Sequence, residues 1–139
     1  MAIQSAMCVS ARRDWFRGVH QESDVYMIAL YDGSANLNVL TERYTTVGEV
    51  QGAGYKPGGL RLEGFMAGVD GVTAIMQWKV DPVWKNATIN ARGALVYNKS
   101  KHDLALGVVD FGKAVVSTNG PWVFPMPPFT ASTALFSWS

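Results

Sequence analysis

The sequence predicts a mainly β, single-domain fold over residues 1–139, an antiparallel β-sandwich or jelly-roll-like module with one N-terminal α-helix. Seven or eight short apolar segments recur at roughly ten-residue spacing between Gly, Asn, Asp and Pro clusters, the pattern of an all-β sandwich. Ala87–Asn98 and Leu104–Phe111 are strongly strand-like and are joined by the polar turn Asn98-Lys99-Ser100-Lys101. At 139 residues, with 48% apolar and 17% charged residues, the chain is too apolar for disorder and long enough to bury a core unaided.

Residues 3–19 read as the helix. Ile3, Met7, Ala11, Trp15 and Val19 recur every fourth residue as one apolar stripe, with Arg12, Arg13 and Arg17 off it. Gly18 supplies the stop, and Arg17 suits the negative end of the helix dipole. Val25–Tyr31 is the first strand, bounded by Asp32-Gly33-Ser34, and Asn36–Leu40 is a short extended piece. Residues 48–59 hold five of the 14 glycines and read as a long loop or a bulged edge strand. Leu60–Phe65 alternates, with Leu60 and Leu62 on one face, and Val72–Val80 follows the turn Val69-Asp70-Gly71. Asp81-Pro82 ends that strand, because proline removes a ladder donor. After the 87–111 hairpin, Asn119-Gly120-Pro121 reads as a further turn. Trp122–Phe124 is then a strand running into Pro125-Met126-Pro127-Pro128, and Ala134–Trp138 closes the chain.

No constellation of reactive residues emerges. His20 and His102 are the only histidines, and Glu22, Asp24 and Asp103, which a metal would have to recruit, sit with them at turn positions as solvated groups. Cys8, paired with a histidine, would be a nucleophile with its base. Inside the helix it reads instead as a small hydrophobe. The glycines of 52–59 precede a strand, whereas a phosphate loop must open a helix. Asp70, Asp81 and Asp110 lie where turns begin or strands end, and nothing pairs them as glycosidase carboxylates. The expectation is therefore a non-enzymatic protein with no cofactor, no metal and no small-molecule ligand.

A net charge of +1 gives no case for nucleic acid. No apolar run reaches the length of a membrane helix, and Ala11-Arg12-Arg13-Asp14 interrupts any signal-peptide core, so synthesis in a cytoplasm is expected. One cysteine precludes an internal disulfide. Five Trp, five Tyr and six Phe exceed what one core needs, and surplus aromatics are natural anchors for protein contacts. Trp84, Trp122, Phe124, Met126, Phe129 and Trp138 are the candidate interface residues, with Arg12, Arg13 and Arg17 as polar contacts. Four prolines between residues 121 and 128 bar an interior strand there, so this apolar arm is expected at an edge, against another chain.

Several landmarks carry a resemblance. They are Met1–Cys8 with Gly18-Val19-His20, Ile28–Tyr31, Tyr44-Thr45-Thr46, Gly48–Tyr55, Gly58-Gly59, Ala91–Asn98 and Val108–Gly112. In this order, over almost the whole chain, the sequence resembles small virion structural proteins of tailed bacteriophages. The resemblance implies fold and particle membership, as a head decoration (cement) protein or a tail-associated one. The chain departs from it at Trp78-Lys79, Trp84-Lys85 and Trp122–Phe129, where members continue rich in Ser or Thr. The expected function is a capsid decoration protein, located in the virion after synthesis in the host cytoplasm. Its expected partners are the major capsid protein and copies of itself. The alternative is a tail or fibre module that binds host glycan through stacked aromatics.

Overall fold

The computed structural model describes residues 2–138 and shows a sandwich of two antiparallel sheets with one helix. In chain order the elements are β1 (Ala6–Met7), α1 (Val9–Phe16), β2 (Tyr26–Tyr31), β3 (Leu60–Arg61), β4 (Phe65–Asp70), β5 (Thr73–Trp78), β6 (Val83–Asn98), β7 (Leu104–Val123) and β8 (Phe136–Trp138), with a single 3-10 turn at Lys99–Lys101. The larger sheet runs β1-β7-β6-β2-β3 and the smaller β4-β5-β8.

Next to the Lys99–Lys101 turn the larger sheet is covered on both faces, which explains its continuous apolar runs there. On one face Tyr26, Ile28, Leu30, Val96 and Leu106 meet Leu62, Met76, Trp78 and Phe136 of the smaller sheet and its approach. On the other, Ala29, Tyr31, Leu95, Tyr97 and Val108 are covered by Ile3, Cys8, Ala11, Ala35 and Leu37. β6 changes character along its length. From Val83 to Ala91 most inward residues alternate with exposed ones, and from Gly93 to Asn98 every residue is buried.

The helix is shorter than its stripe predicts. Residues 3–8 give their backbone groups to the sheet instead: Ile3 bridges Leu37, Ala6 and Met7 pair with Val108 and Gly107, and the Cys8 amide donates to the Leu106 carbonyl. Gly18, at φ +69°, does end the helical region. The strand expected at Leu60–Phe65 is split. Leu60 and Arg61 pair with β2, Gly64 turns the chain at φ +82°, and Phe65 opens β4 in the other sheet. The turn expected at Asn119–Pro121 is a bulge within β7. Ala87 faces Gly120 and Ile89 faces Ser117, so β7 carries one extra residue there, with Asn119 at φ +48°. Among the described residues no helix is long and apolar enough to cross a membrane.

The glycine-rich segment lies along β6. The Thr88 amide donates to the Ala53 carbonyl at 2.8 Å. A Cβ at Gly52 would fall 2.1 Å from the Thr88 carbonyl oxygen, so only glycine permits this approach.

Candidate functional site

Where β1 and α1 meet the smaller sheet, an apolar groove of about 280 Å³ opens. Met7, Trp15, Phe65, Met76, Phe136 and Trp138 line much of it, and Glu22 and Ser137 are its polar groups. β8 places Phe136 inward over Gly107, where a Cβ would lie 2.2 Å from the ring, and leaves Trp138 at the rim. Phe16, 81% exposed at the end of α1, meets Trp138 edge-on at 4.9 Å between ring centroids. A smaller recess beside the groove is lined by Arg12 together with Met7 and Trp138. Arg13 and Arg17 are exposed on the same helical segment, and Arg13 pairs with buried Asp14 at 3.1 Å.

The structure thus brings Arg12 and Trp138 together and places Arg13 and Arg17 nearby along the chain. Three of the aromatics expected at an interface point inward instead. Trp84, Trp122 and Phe124 are buried in the protein's own core, where Tyr55 stacks on Trp84, Trp84 meets Trp122 edge-on, and Phe111 touches both Trp122 and Phe124. The proline arm is likewise held by its own chain. Gln77 donates to the Pro127 carbonyl and accepts from the Leu135 amide, while Asp81 and Asp70 accept from the Met126 and Ala131 amides. Met126 is half-buried against the core, and half-buried Phe129 lies beside Gly68. Asp110 binds the Gly112 amide and Arg92, so all three carboxylates of the discarded glycosidase reading hold the fold.

His20 is not the solvated turn residue its neighbours imply. It is buried, with Trp15 and Tyr26 as ring neighbours, and its Nδ1 lies 2.9 Å from the Asn98 amide nitrogen. Asn98 also donates to Asp24 at 2.8 Å, and Lys101 donates to both Asp24 oxygens. With Asn98 Nδ2 donating, His20 Nδ1 is the acceptor. Burial lowers the imidazole's pKa below its ordinary 6.5, against the pull of Asp14 and Asp24 and with the help of Lys101. Burial raises the Asp24 carboxyl, but hydrogen bonds from Lys101, Asn98 and the Gln21 amide outweigh it and leave the pKa low. Cys8 is fully buried and pushed up to about 11 by burial, as a packed hydrophobe should be.

One site escaped the reading of the sequence. Glu49 is buried beneath the 44–58 loop and accepts from the Tyr44 and Tyr55 hydroxyls and the Gly58 amide. Burial, and then Glu49 itself, raises both tyrosines far above their usual range. The signal was a lone carboxylate between Tyr44 and Tyr55, in a glycine segment whose one other charge is Lys56. Above it lies a polar cleft of about 510 Å³ with Asp32, Ser34, Thr46, Gln51 and Asn90 in its walls, and no aromatic side chain lines it. Among the described residues no three His, Cys, Asp or Glu side chains converge as metal ligands.

Comparison with family profiles, with characterised proteins and with solved structures finds no match to this chain.

Proposed function

We propose that the protein is a non-enzymatic structural component of a tailed-phage virion, a decoration or cement protein that binds the major capsid shell as an oligomer. The observation that carries this reading is the groove rim. Exposed Phe16 and half-buried Trp138 stand over an apolar recess, beside Arg12 and the exposed Arg13 and Arg17. Trp and Arg around a desolvatable apolar pocket are the chemistry of interface hot spots. The ordered landmarks along the sequence supply the particle. Clamping adjacent shell subunits would add binding free energy at each junction and oppose the pressure of packaged DNA.

The test uses purified capsids stripped of the protein. Added protein is expected to rebind and to raise the shell's melting temperature. Phe16→Ala and Trp138→Ala each weaken rebinding by about tenfold or more, about 1.4 kcal/mol. Capsids that neither rebind it nor gain thermal stability overturn the proposal.

The polar cleft above Glu49 favours a second reading, a tail-associated module binding host glycan. The absence of an aromatic wall there, and the burial of Trp84, place it second. Saturable, sugar-specific binding on a glycan array, lost on Asn90→Ala, would reverse that order.

A further inference from the structure

We infer that the apolar groove and the recess beside it form one binding site for a small amphipathic carboxylate of the medium-chain fatty acid class, with the chain in the groove and the head group on Arg12. The two hollows adjoin, because Met7, Ser137 and Trp138 line both. The groove, of about 280 Å³, is walled by Trp15, Phe65, Met76 and Phe136. The recess, of about 260 Å³, has Arg12 as its one charged side chain. A mostly apolar hollow with one placed polar group is the form of a small-molecule site. The groove stands at the small end of such sites, roughly 300–1,000 Å³, which suits a short chain.

The groove exists because the smaller sheet outruns its cover. Phe65, Ala67 and Val69 share one face of β4, opposite Trp78, Met76 and Ala74 of β5, and Phe136 and Trp138 continue that face on β8. Trp78, Met76 and Phe136 are buried in the core between the sheets, whereas Ala67, Val69 and Ala74 are exposed. The cover ends midway along the β4–β5 hairpin, and the apolar face continues beyond it.

Charge sets the direction in which a ligand lies. Arg12 is half-buried, its Nε is shut off from solvent without a hydrogen-bond partner, and no acid among the described residues pairs with it. A partly desolvated guanidinium attracts an anion more strongly than a fully hydrated one. It offers only donors and an ionised carboxylate only acceptors, so the two can pair in bidentate fashion. Glu22, the one charged residue of the groove, is exposed and screened by water. It disfavours a carboxylate in the groove and leaves the head group to the recess. Arg12, Arg13 and Arg17 against Asp14 add a positive potential on that side. The site belongs to the free protein, and a shell subunit seated on the same rim would displace its ligand.

Methionine methyl resonances report the site, since Met7 and Met76 line the groove and Met27 packs on the other face of the larger sheet. Titrating the full chain with sodium octanoate below its micellar range should shift Met7 and Met76 saturably and leave Met27 in place. Octylammonium, with the same chain and the opposite charge, should bind about tenfold or more weaker, and acetate, a head group without a chain, should not shift them. Arg12→Gln is expected to lower octanoate affinity about tenfold or more and to leave the affinity for uncharged octanol unchanged. The absence of a saturable shift, equal affinity for octylammonium, octanoate affinity unchanged in Arg12→Gln, or an equal shift of Met27 each overturns the inference. If Arg12→Gln fails to fold, the choice between octanoate and octylammonium by the unmodified chain decides. Capsid rebinding is measured separately, so either proposal can fail while the other stands.

Discussion

At the scale of single residues, the buried polar groups set the acid sensitivity of the fold. His20 has a folded pKa below 6.5, so on acidification the unfolded chain takes up the proton first. Stability conferred by neutral His20 is full above pH 6.5 and falls as the pH drops toward the folded pKa. The slope of unfolding free energy against pH between about 7 and 5 is expected to flatten in His20→Gln, measured by urea titration. Asp24 is the opposite ionisation with the same outcome. Its depressed pKa contributes stability above the ordinary 3.8, and that stability is lost as pH falls through the lower folded value. Lys101→Met removes the first of the hydrogen bonds that together outweigh burial, so acid unfolding should begin at higher pH. Glu49→Gln replaces one acceptor oxygen beneath two tyrosine hydroxyls and an amide with a donor. A loss of about 1–3 kcal/mol in urea at pH 7 is expected.

At the scale of elements, packing decides what composition leaves open. Trp84→Ala and Trp122→Ala should each cost about 3–5 kcal/mol of the isolated protein's own stability, read from denaturant midpoints, because both indoles fill the core. Gln77→Leu should free the proline arm, and hydrogen exchange at the Leu135 amide would report it. Strands β2, β5, most of β6 and the Leu104–Phe111 part of β7 were legible in the sequence because alternation and continuous apolar runs reflect one or two covered faces directly. The helix was half legible. The four-residue repeat from Ile3 to Val19 is real, but edge pairing with β7 and the bridge to Leu37 take the backbone of residues 3–8, and no side-chain pattern records that competition. The Asn119 bulge carries turn chemistry inside a strand, so local signals name a turn. The aromatics were legible as important but not as inward or outward. Trp84 stacks on Tyr55 because the glycine segment folds back over β6, and Trp122 meets Phe111 of its own strand. Glu49 was invisible for the same reason, since its partners Tyr44, Tyr55 and Gly58 meet it through loop closure.

At the scale of the whole molecule, a sheet covered on both faces is joined to a thinner, three-stranded one, and the groove marks where that cover is incomplete. Filling the groove by Ala74→Leu should narrow the apolar recess between Trp15 and Met76 and reduce shell rebinding more than it changes the melting temperature. A rise in rebinding would show that the recess is not where the shell docks. The β6–β7 hairpin has a kinetic consequence of its own. Its two strands are neighbours in the chain, so it can zip from the Lys99–Lys101 turn without closing a long loop. The doubly covered half next to that turn would accept a one-residue slip, since both faces are apolar there. The alternating half from Val83 to Ala91 would not, because a slip would drive Lys85 or Asn90 inward. The distal end of the hairpin therefore proofreads a register that the proximal end initiates. Substituting Trp84 should slow refolding through misregistered hairpins while leaving the first zippering step unchanged.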